Sequence, residues 1–164
     1  METVSSLTTK NVVEALSSFH AALGDHKESI NRLNVYPVPD GDTGTNMFLT
    51  VASVLEELNG VDPNDRTAVC GAISHGSLMG ARGNSGVILS QVLRGMSNRF
   101  AQANEIDAEV LAVALSEASV AADGSVMKPV EGTILTVVRE VAKAARDAAN
   151  SESILRTVEL ALEE

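Results

Sequence analysis

Apolar residues recur three and four positions apart through nearly the whole chain, and strand-type alternation is nearly absent. That period commits the sequence to helices, each burying one stripe against its neighbours. Composition then sets how the helices pack. Apolar residues make up 45% of 164, yet aromatics are only 2% and tryptophan is lacking. A core of Ala, Val, Leu, Ile and Met favours closely approaching helices over a sheet sandwich. The length suffices for one domain, residues 1–164, with a substantial core.

Caps and periodic positions place the helices. Thr8 or Thr9 caps a first helix carrying Val12, Leu16, Phe19, His20 and Leu23 and ending near Gly24. A short second helix covers residues 27–33, and a third runs over 45–58 until Asn59-Gly60 stops it. Asp65 opens a fourth, a fifth spans 87–100, and Asp107 caps a sixth that ends near Ala122. Residues 129–150 contain a seventh, and an eighth begins at Ser151. Eight helices with short joints make an all-α bundle or barrel.

Residues 34–47 carry the densest chemistry: Asn34-Val35-Tyr36-Pro37-Val38-Pro39-Asp40-Gly41-Asp42-Thr43-Gly44-Thr45-Asn46-Met47. Two prolines stiffen the approach, and two carboxylates flank a glycine just before a helical pattern begins. Hard oxygens on such a loop suit Mg²⁺, and the N–H groups of the following helix start suit a phosphate. The plain alternative is an Asx turn leading to a helix N-cap, with both carboxylates solvated. A calcium loop of the EF-hand type fails at three positions: Gly44, Thr45 and Val51 stand where it needs a ligand, a glycine and a glutamate.

A second constellation is Gly76-Ser77-Leu78-Met79-Gly80-Ala81-Arg82-Gly83-Asn84-Ser85-Gly86, which fits neither the Walker nor the GxGxxG pattern. Its glycines let backbone N–H groups approach an anion, Asn84 or Ser85 can cap the next helix, and Arg82 can add a bidentate phosphate contact. Otherwise it is a tight helix corner with Arg82 in solvent. In a third stretch, residues 123–135, Thr133 can face a ligand, while Lys128 and Glu131 read as a surface pair. The three histidines lack metal spacing, and His75 reads as packing. Cys70, in Ala68-Val69-Cys70-Gly71-Ala72-Ile73, reads as helix core. A net charge of −10 without a basic stripe opposes nucleic-acid or anionic-membrane binding, and makes an anionic nucleotide depend on bridging cations. No apolar run reaches the ~18 residues of a membrane span, and a cytoplasmic location is expected.

Taken together, residues 33–47, 78–91 and 126–137 resemble the nucleotide-binding DhaL-like domain of the dihydroxyacetone kinase superfamily. The likeness is closest to the ATP-binding N-terminal domain of bacterial fatty acid kinases. The runs 34–47 and 79–86 carry it almost letter for letter. The resemblance implies an eight-helix antiparallel barrel with ATP or ADP and two Mg²⁺ at one end. Asp40 and Asp42 correspond to two of three metal-binding aspartates in dihydroxyacetone kinases, and Asn34 stands nearest the third, as in fatty acid kinases. A neutral ligand there favours exchangeable ATP over permanently held ADP. The same resemblance implies that Thr43, Gly44, Thr45, Asn46, Gly83, Asn84, Ser85 and Thr133 contact the nucleotide, with Asp40, Asp42 and Arg82 catalytic.

The expected function is a Mg·ATP-dependent phosphotransferase domain, the N-terminal part of a longer polypeptide, acting on a fatty acid presented by a separate binding protein. The nucleotide-binding subunit of a dihydroxyacetone kinase, whose acceptor is carried by another domain, is the second expectation. A module that holds Mg-nucleotide without transferring phosphate is the third. All three require the two glycine loops to face one cavity; a purely helical interaction domain would keep them apart.

Overall fold

The computed structural model describes residues 5–149, Ile154 and residues 157–159. Its helices are α1 (Thr9–Leu33), α2 (Thr43–Leu58), α3 (Arg66–Met79), α4 (Gly83–Gln102), α5 (Ala108–Asp123) and α6 (Ile134–Ala148). The all-α expectation holds. Each helix packs on the next in sequence, and α2 also packs on α4. This up-and-down order gathers the starts of α2, α4 and α6 at one end, beside the ends of α1, α3 and α5. The eighth helix expected from residue 151 onward lies outside the described residues, except that Ile154 and residues 157–159 are helical.

The first two expected helices are one. α1 runs unbroken for 25 residues, so Gly24 is no stop and residues 27–33 are its last turns. Gly24 instead makes room for Phe48 of α2: a Cβ there would stand 3.2 Å from the ring. His20 stacks on that ring at 4.3 Å between centroids, and Lys27 Nζ lies 4.9 Å from its centre.

Other signals act where they were read. Thr8 caps α1 in a reciprocal box with Asn11, through bonds of 3.0 and 3.2 Å. Asp65 and Asp107 accept the N–H groups of Ala68 and Val110 at 2.9 and 2.8 Å. Asn59 follows the end of α2, and Gly60 takes a φ of 84°. α4, however, begins at Gly83 rather than Val87. One feature too short for any periodic signal is a two-residue strand, β1 (Ser6–Leu7), paired antiparallel with β2 (Ile106–Asp107). It ties the approach to α1 onto the α4–α5 connection.

Aliphatic and alanine side chains build the core. Leu16 and Leu23 of α1 meet Val51 and Val54 of α2, Val69 and Ile73 of α3, and Leu89 of α4. A second cluster joins Cys70, Phe100, Ile106, Leu111 and Ile154. Burial pushes the Cys70 thiol above its usual range, against a smaller downward pull from Arg66, which marks a packing residue rather than a nucleophile. A third cluster links Ile88 and Val92 of α4 to Ala118 and Ala122 of α5 and Leu135 of α6.

Small residues let these helices touch. At Gly95, a Cβ would stand 2.8 Å from the Ala118 Cα of α5. Gly95→Ala should therefore wedge α4 from α5 and cost about 1–3 kcal/mol. The melting temperature should fall by about 2–4 °C per kcal/mol for a chain of this size. An unchanged melting curve would mean that the two backbones can separate freely.

Candidate functional site

Three segments meet at one end of the bundle: the α1–α2 connection, the first turn of α4 and the α5–α6 connection. They enclose a cavity of about 620 Å³. Asn34, Asp40, Asp42 and Thr43 line it from the first, Asn84 and Ser85 from the second, and Ser125, Lys128 and Thr133 from the third. The remaining wall is apolar, with Tyr36, Val38 and Met127 near Ile88 and Leu135 of the third core cluster. The two glycine loops therefore share one cavity.

Local packing brings them there. Gly44, buried in the first turn of α2, lies so close to α1 that a Cβ would collide with the Lys27 backbone. Asn31 of α1 fixes this contact: its Oδ1 accepts the Thr45 N–H at 3.1 Å, and its Nδ2 donates to Thr45 Oγ1 at 2.9 Å. On the other flank, the fully buried Thr50 donates to the Asn46 carbonyl at 2.7 Å and accepts the Arg82 N–H at 3.2 Å. Ser85 Oγ donates to the Thr43 carbonyl at 3.4 Å. The starts of α2 and α4 are thus fastened side by side.

These two helix starts differ from the other four. α1, α3, α5 and α6 carry side-chain caps from Thr8, Asp65, Asp107 and Thr133. α2 and α4 have Asp42 and Arg82 at their N-cap positions, and neither side chain bonds the first turn. The N–H groups of Thr43, Gly44, Gly83, Asn84 and Ser85 accordingly have no acceptor among the described residues. Two positive dipole ends lie together, which suits an anion. Gly83 is required for this arrangement, because its φ is 58° and a Cβ would collide with the Asn46 amide.

Asp42 sits at an N-cap without capping, so the plain reading of Asp40-Gly41-Asp42 as a capped turn lacks its defining bond. Asp40 accepts from Asn34 Nδ2 at 2.6 Å. Neither aspartate has an ion-pair partner among the described residues. Nor does any group of three His, Cys, Asp or Glu among them come together to hold a metal. Two carboxylates and an amide do not make a closed metal cage. As hard oxygen donors they would suit Mg²⁺, which retains waters and completes its shell from ligand phosphates.

The other expected site residues are placed as follows. Gly44, Thr45, Asn46 and Gly83 are not among the residues that line the cavity. The Thr45 N–H and hydroxyl are engaged with Asn31, and Asn46 packs on Gly83. Asn84 and Ser85 stand within the first turn of α4 rather than capping it. Arg82 is exposed outside the lining, while its N–H is bound by Thr50. Thr133 lines the cavity, but its hydroxyl donates to the Val130 carbonyl at 2.8 Å and caps α6 at 3.3 Å. His75 faces Glu57 at 3.3 Å.

The expected Lys128–Glu131 pair does not form. Arg139 grips Glu131 through bonds of 2.9 and 2.7 Å. That grip, helped by the Thr136 hydroxyl, holds the Glu131 carboxyl below its usual range. Lys128 lines the cavity instead. Sequence reasoning thus missed Asn31, Thr50 and Lys128. The first two work across 14 and 32 residues, beyond any local pattern. Lys128 was legible only as part of the third stretch.

Comparison with known proteins identifies the family. The model of the DAK2 domain matches residues 37–164. Protein YloV of Bacillus subtilis (strain 168) is 47% identical over 142 residues, which is 87% of this chain and 26% of that protein. An uncharacterized protein of Staphylococcus haemolyticus (strain JCSC1435) is 50% identical over 123 residues, 75% of this chain and 22% of its own. One of Staphylococcus aureus (strain USA300) is 47% identical over 129 residues, 79% of this chain and 24% of its own. The chain spans about a quarter of the length of these relatives. It belongs to the DAK2 domain family, the nucleotide-binding module of the dihydroxyacetone kinase superfamily. Among the described residues, no helix is long and apolar enough to cross a membrane.

Thr50→Val keeps the shape and removes the hydroxyl that joins the two helix starts. It should cost about 1–3 kcal/mol, because the Arg82 N–H loses its acceptor. Urea unfolding checks this, and a change below about 0.5 kcal/mol would show that solvent replaces the bond.

Proposed function

We propose that this chain is the Mg·ATP-binding phosphotransferase domain of a cytoplasmic fatty acid kinase, forming an acyl phosphate on a fatty acid presented by a partner protein. The observation that carries this reading is the pair of uncapped helix starts sharing a cavity with Asp40 and Asp42, neither of which has an ion-pair partner among the described residues. Phosphoryl transfer needs positioning and charge neutralisation more than covalent help. Asp40, Asp42 and Asn34 would hold Mg²⁺, two ions in the full site, while the first-turn N–H groups of α2 and α4 bind phosphate oxygens. The apolar wall would take the nucleoside. No general base is assigned, since a carboxylate acceptor needs none.

The acceptor assignment is supported by the likeness of residues 34–47 and 79–86 to fatty acid kinases, with Asn34 in place of a third aspartate. Membership in the dihydroxyacetone kinase superfamily supports a second reading, a nucleotide-binding subunit that phosphorylates dihydroxyacetone held on another domain.

Binding should require the metal, because −10 net charge and two local carboxylates repel free ATP. At about 100 times Kd, Mg·ATP should add ~2.7 kcal/mol of stability, seen as a melting shift of about 5–10 °C. Asp40→Asn and Asp42→Asn should each remove most of it. A full shift with ATP in excess EDTA would give the carboxylates another role.

Turnover tests the acceptor. The isolated 164 residues should release ADP very slowly, because a freely diffusing acceptor forfeits the proximity that phosphoryl transfer requires. A loaded fatty-acid-binding protein should accelerate release only with the full-length polypeptide. Rapid acyl-phosphate formation by the isolated domain with free fatty acid would overturn this division. No turnover by the full-length protein with any acceptor would leave a module that only binds Mg-nucleotide.

A further inference from the structure

Lys128 is the only cation among the described residues that line the cavity. It is exposed on the α5–α6 connection and makes no ion pair with the described residues. Two local features keep it available. Pro129 follows it, which disfavours a helical conformation at Lys128 and keeps the α5–α6 connection from joining α6 there. Glu131, the carboxylate nearest in sequence, is gripped by Arg139 on two bonds and touched by the Thr136 hydroxyl at 3.2 Å. A charge-assisted, bidentate pair of that kind removes the anion that would otherwise neutralise Lys128.

The charges around the cavity explain what the ammonium can do there. Asp40 and Asp42 line it from the α1–α2 connection, and Lys128 from the α5–α6 connection. With metal held on the carboxylates, cations would face the cavity from two separate segments, a charge arrangement that suits a polyphosphate. Arg82, the only arginine of the glycine-rich joint, stands outside the lining. Lysine suits such a position because it is a compact point charge on a flexible stem and can follow a terminal phosphate.

We propose that Lys128, rather than Arg82, is the protein's own phosphate-binding cation, and that it sets a preference for ligands by the number of phosphates they carry. The role rests on the nucleotide reading above and extends it to a residue outside the two glycine loops. Triphosphate should bind more tightly than diphosphate, and the difference should shrink when the ammonium is removed.

The test is calorimetric titration of the 164-residue protein and of Lys128→Met and Lys128→Arg with Mg·ATP, Mg·ADP and adenosine. Lys128→Met should weaken Mg·ATP about tenfold or more, as expected for a lost charge-assisted bond. It should leave adenosine unchanged and flatten the dependence of Mg·ATP binding on salt. Lys128→Arg, which keeps the charge, should stay within about threefold of wild type, below the ~1.4 kcal/mol of a tenfold change. All three proteins should melt together without ligand, because Lys128 is exposed and has no ion-pair partner among the described residues. Failure of the wild type to bind Mg·ATP overturns both the nucleotide assignment and this role. Wild-type binding with equal affinity in Lys128→Met overturns the role of Lys128 alone. Equal losses in both variants, or a matching loss for adenosine, would make side-chain shape rather than charge responsible and overturn it as well.

Discussion

One buried hydroxyl holds the functional end of this protein together. Thr50 sits wholly inside the bundle, bonds back to its own helix at Asn46, and accepts the main-chain N–H of Arg82 at the mouth of α4. Gly86 passes close enough that a Cβ there would collide with that hydroxyl region of α2, 2.5 Å from Oγ1. The cavity depends on this junction, since α2 and α4 can direct their first turns at one ligand only while their starts remain level. On the outer flank, Asn31 does for α1 and α2 what Thr50 does for α2 and α4. Three helices are thereby indexed by two polar side chains, neither of which lines the cavity.

Open helix starts also carry a thermodynamic cost. A side-chain cap stabilises a helix by about 1 kcal/mol, and the four helices α1, α3, α5 and α6 have one. Withholding caps from α2 and α4 leaves their first turns to be completed by whatever binds. On the proposed reading, folding stability and ligand occupancy would be linked at these helices. Asp42, which does not cap its own helix, keeps its carboxylate available for the cation proposed above.

Much of the fold was legible because its signals are local. Thr8, Asp65 and Asp107 cap where short-range patterns place them, and Asn59-Gly60 ends α2. Gly24 misled for a physical reason: glycine marks both helix ends and seats for neighbouring rings, and only the position of Phe48 decides which applies. The loops of the site could be recognised as chemistry, but their division of labour could not. Whether Thr45 offers its N–H to a ligand or to Asn31, and whether Glu131 serves Lys128 or Arg139, is settled by contacts between segments. Thr133 illustrates the same limit, since it stands at the cavity with its hydroxyl already committed to α6.

The aromatic poverty that shaped the core has one more consequence. The chain has a single tyrosine and no tryptophan, and that tyrosine, Tyr36, lines the cavity while remaining 61% exposed. Nothing elsewhere in these 164 residues emits in the tyrosine band. A ring at the rim of the proposed binding cavity would make the ultraviolet emission of the unlabelled protein an intrinsic optical gauge of occupancy at one defined place.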